Sequence, residues 1–159
     1  MSAHAFRFDA IDGASLPLAD FAGKAVLVVN TASACGYTPQ YAGLEALWRR
    51  YRDRGLVVLG VPSNDFGAQE PGSEAEIREL CTTSYGVDFP MTAKAGVVGA
   101  AAHPFYRWIV EQCGEAAAPR WNFHKYLIGP DGALAALWPS DVEPLAPEVT
   151  ETIEELLKQ

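Results

Sequence analysis

The chain is poor in the features that most quickly announce a function. Its 159 residues include only three cysteines, Cys35, Cys81 and Cys113. An odd number without close pairing makes no disulfide framework, so the expected setting is reducing and cytoplasmic. No second thiol follows Cys35 closely; Gly36, Tyr37, Thr38 and Pro39 come next. That excludes a thioredoxin-like oxidoreductase or metal chaperone that works with two neighbouring thiols. No Cys and His set has metal-ligand spacing, so neither a metal nor another cofactor is expected. Basic residues are few: twelve Lys and Arg face twenty Asp and Glu, for a formal net charge of −8. Without a basic stripe the chain has no electrostatic footprint for nucleic acid. Long apolar runs are also missing. The longest, Ala25 to Val29, is far too short to cross a bilayer, so no stable membrane insertion is expected. The first residues, Met1 to Asp9, lack a charged leader followed by an apolar stretch, so no secretory signal is expected.

What is present is an ordinary globular composition, 49% hydrophobic and 20% charged. The length predicts one domain over residues 1–159 with its own core. Ala5–Phe8 and Ala14–Leu18, separated by Asp12-Gly13, predict an N-terminal hairpin. Ala25–Val29 and Leu56–Val61 are continuous apolar runs, the pattern of strands buried on both faces. Between them Thr38 is placed to cap a helix with Pro39 at its first position. Leu44, Leu47, Trp48 and Tyr51 form that helix's apolar stripe, and Gly55 fits its end. Ser73 and Glu76 make a capping box for a second helix, with Ile77, Leu80, Cys81 and Ser84 on one face, ending near Gly86. Pro104–Cys113 reads as a third helix with Phe105, Trp108 and Ile109 inward. Phe123–Ile128 and Ala133–Trp138 flank the turn Pro130-Asp131-Gly132. Pro147–Leu157 closes the chain as an amphipathic helix. This order predicts an α/β thioredoxin fold: an N-terminal β-hairpin and a central mixed sheet flanked by helices.

Cys35 sits where the first buried strand hands over to a helix, and the thiolate is the form that acts as nucleophile. A free thiol, with a pKa of about 8.5, is only about 3% ionised at pH 7. Making it half ionised there takes roughly 2 kcal/mol of preference for the anion. One or two hydrogen bonds to a charged group, at roughly 1.5–3 kcal/mol each, supply that without a neighbouring Lys or His.

Three segments carry a resemblance: Asn30-Thr31-Ala32-Ser33-Ala34-Cys35-Gly36-Tyr37-Thr38-Pro39-Gln40-Tyr41, Val61 to Gly72, and Trp121-Asn122-Phe123-His124-Lys125-Tyr126-Leu127. With them, from about Phe6 to its end, the chain resembles the glutathione peroxidase family in its cysteine form. The resemblance implies a catalytic tetrad of Cys35, Gln69, Trp121 and Asn122. The chemistry fits. Thiolate attack on one peroxide oxygen leaves charge growing on the other, so the site needs donors; Gln69 and Asn122 offer amide NH₂ groups and Trp121 an indole N–H. Singly, each has a plainer use, as loop residue, core filler and turn former. Two departures from the commoner pattern are Asp65, where glutamine is frequent, and Ser63, where a further cysteine is frequent. Thr92, Gly96 and Val98 lie in a stretch usually more aromatic and polar.

The resemblance also implies a resolving role for Cys81, which thioredoxin-dependent members carry in a similar segment. Against it stands the helical pattern, which buries Cys81 beside Ile77 and Leu80, where a thiol is normally inert. Cys113 is read as structural or incidental. His4 and His103 are expected on the surface and His124 on a strand face, none as a catalytic base. The expected function is therefore a thiol peroxidase that reduces hydrogen peroxide and organic or lipid hydroperoxides through a Cys35 sulfenic acid. Cys81 resolves it and thioredoxin recycles the enzyme. The alternatives are direct reduction by glutathione with Cys81 as core, or a peroxide sensor that relays oxidation to a partner. Tetrameric members of the family carry an inserted loop before the Trp-Asn segment. Here only Gly114 to Arg120 follow Cys113 before Trp121, which implies a monomer with an open site.

Overall fold

The computed structural model describes residues 2–68, 70 and 72–158. The hairpin pairs β1 (Arg7–Asp9) with β2 (Ser15–Pro17), antiparallel. Its turn needs Gly13 at φ +93°, and the Asp12 carboxylate accepts the Ala14 N–H at 3.0 Å. Both strands are shorter than expected, because Ala3–Ala5 and Leu18–Phe21 form 3₁₀ turns.

The two apolar runs become β3 (Ala25–Thr31) and β4 (Leu56–Pro62), buried along their whole length. They pair in parallel with Ala25 opposite Leu56. The crossover is α1 (Gln40–Tyr51), and left-handed Gly55 then turns the chain into β4. The next elements are α2 (Glu74–Tyr85), α3 (Pro104–Cys113), β5 (Lys125–Ile128), β6 (Leu134–Trp138) and α4 (Pro147–Leu157). β5 and β6 join antiparallel, giving a sheet of order β4-β3-β5-β6.

The side-chain alternation explains why both sheet faces are covered. Ala25, Leu27 and Val29 point with Leu56 and Val58 to one cluster, where Leu44 and Leu47 of α1, Ile77 and Cys81 of α2, and Val149 and Ile153 of α4 pack. Val26 and Val28 point with Val57, Leu59 and Val61 to the other, against Phe105, Trp108 and Ile109 of α3 and Phe8 of the hairpin. A mixed sheet with a parallel βαβ unit, a final antiparallel hairpin and helices on both faces is the thioredoxin fold.

Three local expectations need correction. α1 starts at Gln40 with Pro39 at its N-cap and no side-chain cap, because the Thr38 hydroxyl is engaged in the preceding loop. Ser84 is exposed, so α2 buries only Ile77 and Cys81. β5 begins at Lys125 rather than Phe123, since Phe123 takes φ +66° and cannot join a strand. The Ser73–Glu76 capping box forms with both of its hydrogen bonds, and Gly86 ends α2 in the left-handed region.

Candidate active site

The C-terminal end of β3 organises the site. Asn30, fully buried, donates from Nδ2 to the Trp121 carbonyl at 3.0 Å, across 91 residues of sequence. Its own carbonyl accepts the Phe123 N–H at 2.6 Å. These two bonds fasten the Trp121–Phe123 turn to the strand that leads into Cys35. Phe123 holds its positive φ because the site is over-determined: its amide is fixed and its ring meets Tyr41 edge-on at 5.3 Å.

Beyond β3 the chain folds into a tight turn around Cys35. The Thr38 hydroxyl accepts the Cys35 N–H at 2.9 Å and donates to the Ala32 carbonyl at 2.8 Å, while the Thr38 N–H donates to the Cys35 carbonyl at 3.0 Å. The Tyr37 N–H donates to Cys35 Sγ at 3.3 Å. Cys35 is only 8% exposed. It lies five residues ahead of Gln40, the start of α1. The observed donor to sulfur is thus a turn amide rather than the first turn of the helix, which corrects the simplest dipole reading.

The segment after β4 supplies the third wall. The Phe66 ring packs on the Trp121 indole at 5.7 Å, and Asn122 Nδ2 donates to the Phe66 carbonyl at 3.5 Å. Trp121 is half-buried against the cluster that contains Cys35. Cys35 and the adjacent Trp121 and Asn122 are therefore gathered at one end of the sheet, on two segments joined through Asn30. Gln69 lies outside the described residues. Neighbouring Glu70 is buried, its N–H on Asn64 Oδ1 at 2.9 Å; burial pushes its carboxyl up, opposed by hydrogen bonding with Ser33.

The departures noted in the sequence have local reasons. Asp65 Oδ2 accepts the Val97 N–H at 2.6 Å and the Val98 N–H at 3.2 Å, tying the loop beside Trp121 to the segment before α3. At Gly96 a Cβ would come within 2.8 Å of the Ala101 carbonyl oxygen. Ser63 is fully buried, and its hydroxyl accepts the Asp65 N–H at 3.3 Å.

Residues 3–110 match the family model described as glutathione peroxidase. The chain belongs to the glutathione peroxidase family. It is 43% identical over 162 residues to the hydroperoxy fatty acid reductase gpx1 of Synechocystis sp., covering 97% of this chain and 95% of that one. It is 41% identical over 165 residues to the thioredoxin/glutathione peroxidase BtuE of Escherichia coli, covering 90% of each. A crystal structure of Trgpx in apo form superposes with a TM-score of 0.79 at 34% identity, over 100% of this chain and 97% of that one. The protein is thus a peroxidase with a thioredoxin fold.

The remaining candidates of this peroxidase separate cleanly. Cys81 lies on α2, 2% exposed, and burial, helped by the Glu70 carboxylate, pushes its thiol up to about 11. It also lines a cleft of ≈ 460 Å³ with Ile11, Leu16, Val87, Phe89 and Met91. All three cysteines are free, with Cys113 exposed at the end of α3. His103 is not a simple surface residue: it stacks on Phe8 at 3.9 Å, its Nδ1 accepts the Phe105 N–H, and its Nε2 faces the Arg7 carbonyl. His4 is likewise half-buried. His124 is buried and stacked on Tyr126, and burial brings it down to about 4, so it is neutral at physiological pH. Among the described residues no cluster of metal-ligating side chains occurs, and no helix is long and apolar enough to cross a membrane.

Sequence reasoning missed the Thr38 clasp, the Tyr37 amide, the Phe66 ring and the buried Lys125. A Thr three residues after the cysteine was the available signal for the clasp, since its hydroxyl can serve a local turn. A lone Lys in an otherwise apolar strand was the signal for Lys125.

Proposed function

We propose that the peroxidase reduces hydrogen peroxide and organic hydroperoxides through Cys35. The thiolate attacks one peroxide oxygen, the O–O bond breaks, and the alkoxide or hydroxide leaves and takes up a proton, while the sulfur becomes a sulfenic acid. Trp121 and Asn122, with Gln69, serve as donors to the thiolate and then to the leaving oxygen. The observation that carries this reading is the convergence of the Cys35 turn and the Trp121–Asn122 turn on Asn30. In the second half-reaction the Cys81 thiol displaces water from the sulfenic acid, forming a disulfide that a thioredoxin dithiol reduces by exchange. A thiol reductant of this kind belongs to a reducing compartment such as the cytoplasm.

Peroxide consumption with thioredoxin and with glutathione, offered separately, tests the reading. Steady turnover with thioredoxin and little with glutathione is expected. Turnover with glutathione alone would remove the resolving role of Cys81, and turnover with neither would favour a sensor that passes oxidation to a partner protein.

We also propose that the chain acts as one catalytic domain and as a monomer. The turn-rich connection Gly114–Arg120 between α3 and Trp121 is short and offers no projecting loop to a second copy. Sedimentation at micromolar concentration should show a single species of about the chain mass, 17.1 kDa. A stable tetramer would contradict it.

A further inference from the structure

Lys125 is fully buried, where an ammonium is costly unless its N–H groups find acceptors. Nζ donates to the Phe123 carbonyl at 2.8 Å and to the Ser140 carbonyl at 3.4 Å. The Ser140 carbonyl also accepts Gln40 Nε2 at 2.7 Å, and Gln40 opens α1 directly after the Cys35 turn. On the other side, the Phe123 carbonyl belongs to the residue that follows Asn122 and holds φ +66°. One ammonium therefore joins the helix behind Cys35 to the turn that carries Trp121 and Asn122. A core position here would be filled at lower cost by Met or Leu, which bury no charge.

We propose that Lys125 is a positioning residue, whose ammonium locks the Trp121–Asn122 turn against the start of α1, directly after the Cys35 turn, so that the donors meet the leaving peroxide oxygen. The inference rests on the donor roles proposed for Trp121 and Asn122. It separates two reactions of the same sulfur. Peroxide cleavage needs donors at the leaving oxygen, whereas alkylation by iodoacetamide expels iodide, which needs none.

The charge of Lys125 supplies a second handle. Burial lowers it to about 8, against the pull of the Glu143 and Asp141 carboxylates beyond β6. Beside those two carboxylates, its neighbours in register, Val29 of β3 and Trp138 of β6, are uncharged, as is Gln40 of α1, which shares the Ser140 carbonyl with it. Neighbouring His124, brought down to about 4, is neutral over the same range. As pH rises through about 8, the charge-assisted bonds become weaker neutral ones, and the turn loosens.

The test is single-turnover oxidation of the full-length protein by hydrogen peroxide, set beside iodoacetamide alkylation of Cys35 read by peptide mass spectrometry. Lys125→Met should slow oxidation by roughly 10- to 100-fold, the cost of a small misplacement, while alkylation, which feels the donors only through the thiolate, falls roughly ten-fold less. The double variant Lys125→Met/Asn122→Ala should be no slower than Asn122→Ala alone, because the first acts through the second. In the unsubstituted protein the ratio of oxidation to alkylation should fall as pH rises through about 8, and Lys125→Met should lack this fall. An unchanged ratio in Lys125→Met, or full multiplicative losses in the double variant, overturns the inference. If Lys125→Met does not fold, a flat ratio across pH in the unsubstituted protein overturns it equally. Normal oxidation in Asn122→Ala would remove the donor assignment and this inference together; a slow Asn122→Ala beside an unaffected Lys125→Met removes this inference alone.

Discussion

Peroxide turnover by Cys35→Ser should fall to background, by roughly 10³-fold or more. The substitution changes little but the nucleophile. A serine hydroxyl is nearly isosteric with the thiol, and the Thr38 clasp is made to the backbone N–H and carbonyl of residue 35, which serine retains. The bonds from Asn30 to the Trp121–Phe123 turn do not involve the sulfur and are kept. What is lost is ionisation: a hydroxyl remains almost wholly protonated at neutral pH and attacks peroxide poorly. Stability measured by urea unfolding should be close to that of the parent, which separates a chemical loss from a structural one. Retention of a substantial fraction of turnover would mean that another group is the nucleophile. Of the other two thiols, Cys113 is exposed at the end of α3, and Cys81 is buried on α2 with its thiol pushed up to about 11, which leaves it protonated at neutral pH.

The frame of the site is legible in the sequence because burial on both faces leaves a plain mark. Ala25–Val29 and Leu56–Val61 do not alternate, and both become strands buried along their whole length, extended by one or two residues. Pro147–Leu157 is α4 to the residue, since Pro opens it and Val149 and Ile153 give it one buried stripe. The capping box at Ser73 is equally local. Where one group has two possible uses, the sequence does not rank them. The Thr38 hydroxyl suits a helix cap, and it instead closes the Cys35 turn by accepting the Cys35 N–H. Long-range assembly is less legible still. Trp121 and Asn122 are singled out by a family resemblance, and it is the Asn30 bonds that fasten their turn to the end of β3. Lys125 carries no sign in the sequence of the carbonyls from Phe123 and Ser140 that converge on it.

Cys81→Ser should consume about one equivalent of peroxide and then stop cycling with thioredoxin. In the folded, reduced protein Cys81 is a poor attacker: it is 2% exposed and its thiol is pushed up to about 11. A disulfide also requires Cα atoms roughly 4.4–6.8 Å apart, a demand on the backbone of both segments. Resolution therefore calls for local opening of α2, and the structure makes that opening cheap. Only Ile77 and Cys81 are buried among its residues, and their exposure costs on the order of 2 kcal/mol each, well below the 5–15 kcal/mol of global unfolding. The cleft of ≈ 460 Å³ beside Cys81 leaves further room for the helix to shift. The pH dependence follows from the sign of the thiol shift. A group whose pKa is raised on folding, here from 9.0 to about 11, stabilises the closed helix below its unfolded value and loses that contribution as pH rises through the folded one. Resolution should therefore accelerate between pH 9 and 11, provided the fold as a whole persists. Mass spectrometry of peroxide-treated protein gives the decisive reading. A Cys35–Cys81 linked peptide, with new amide exchange over α2, is the expected result. A lasting Cys35 sulfenic acid in the parent protein, or a bridge to Cys113, would show that Cys81 is core and that a reductant from outside attacks Cys35 directly.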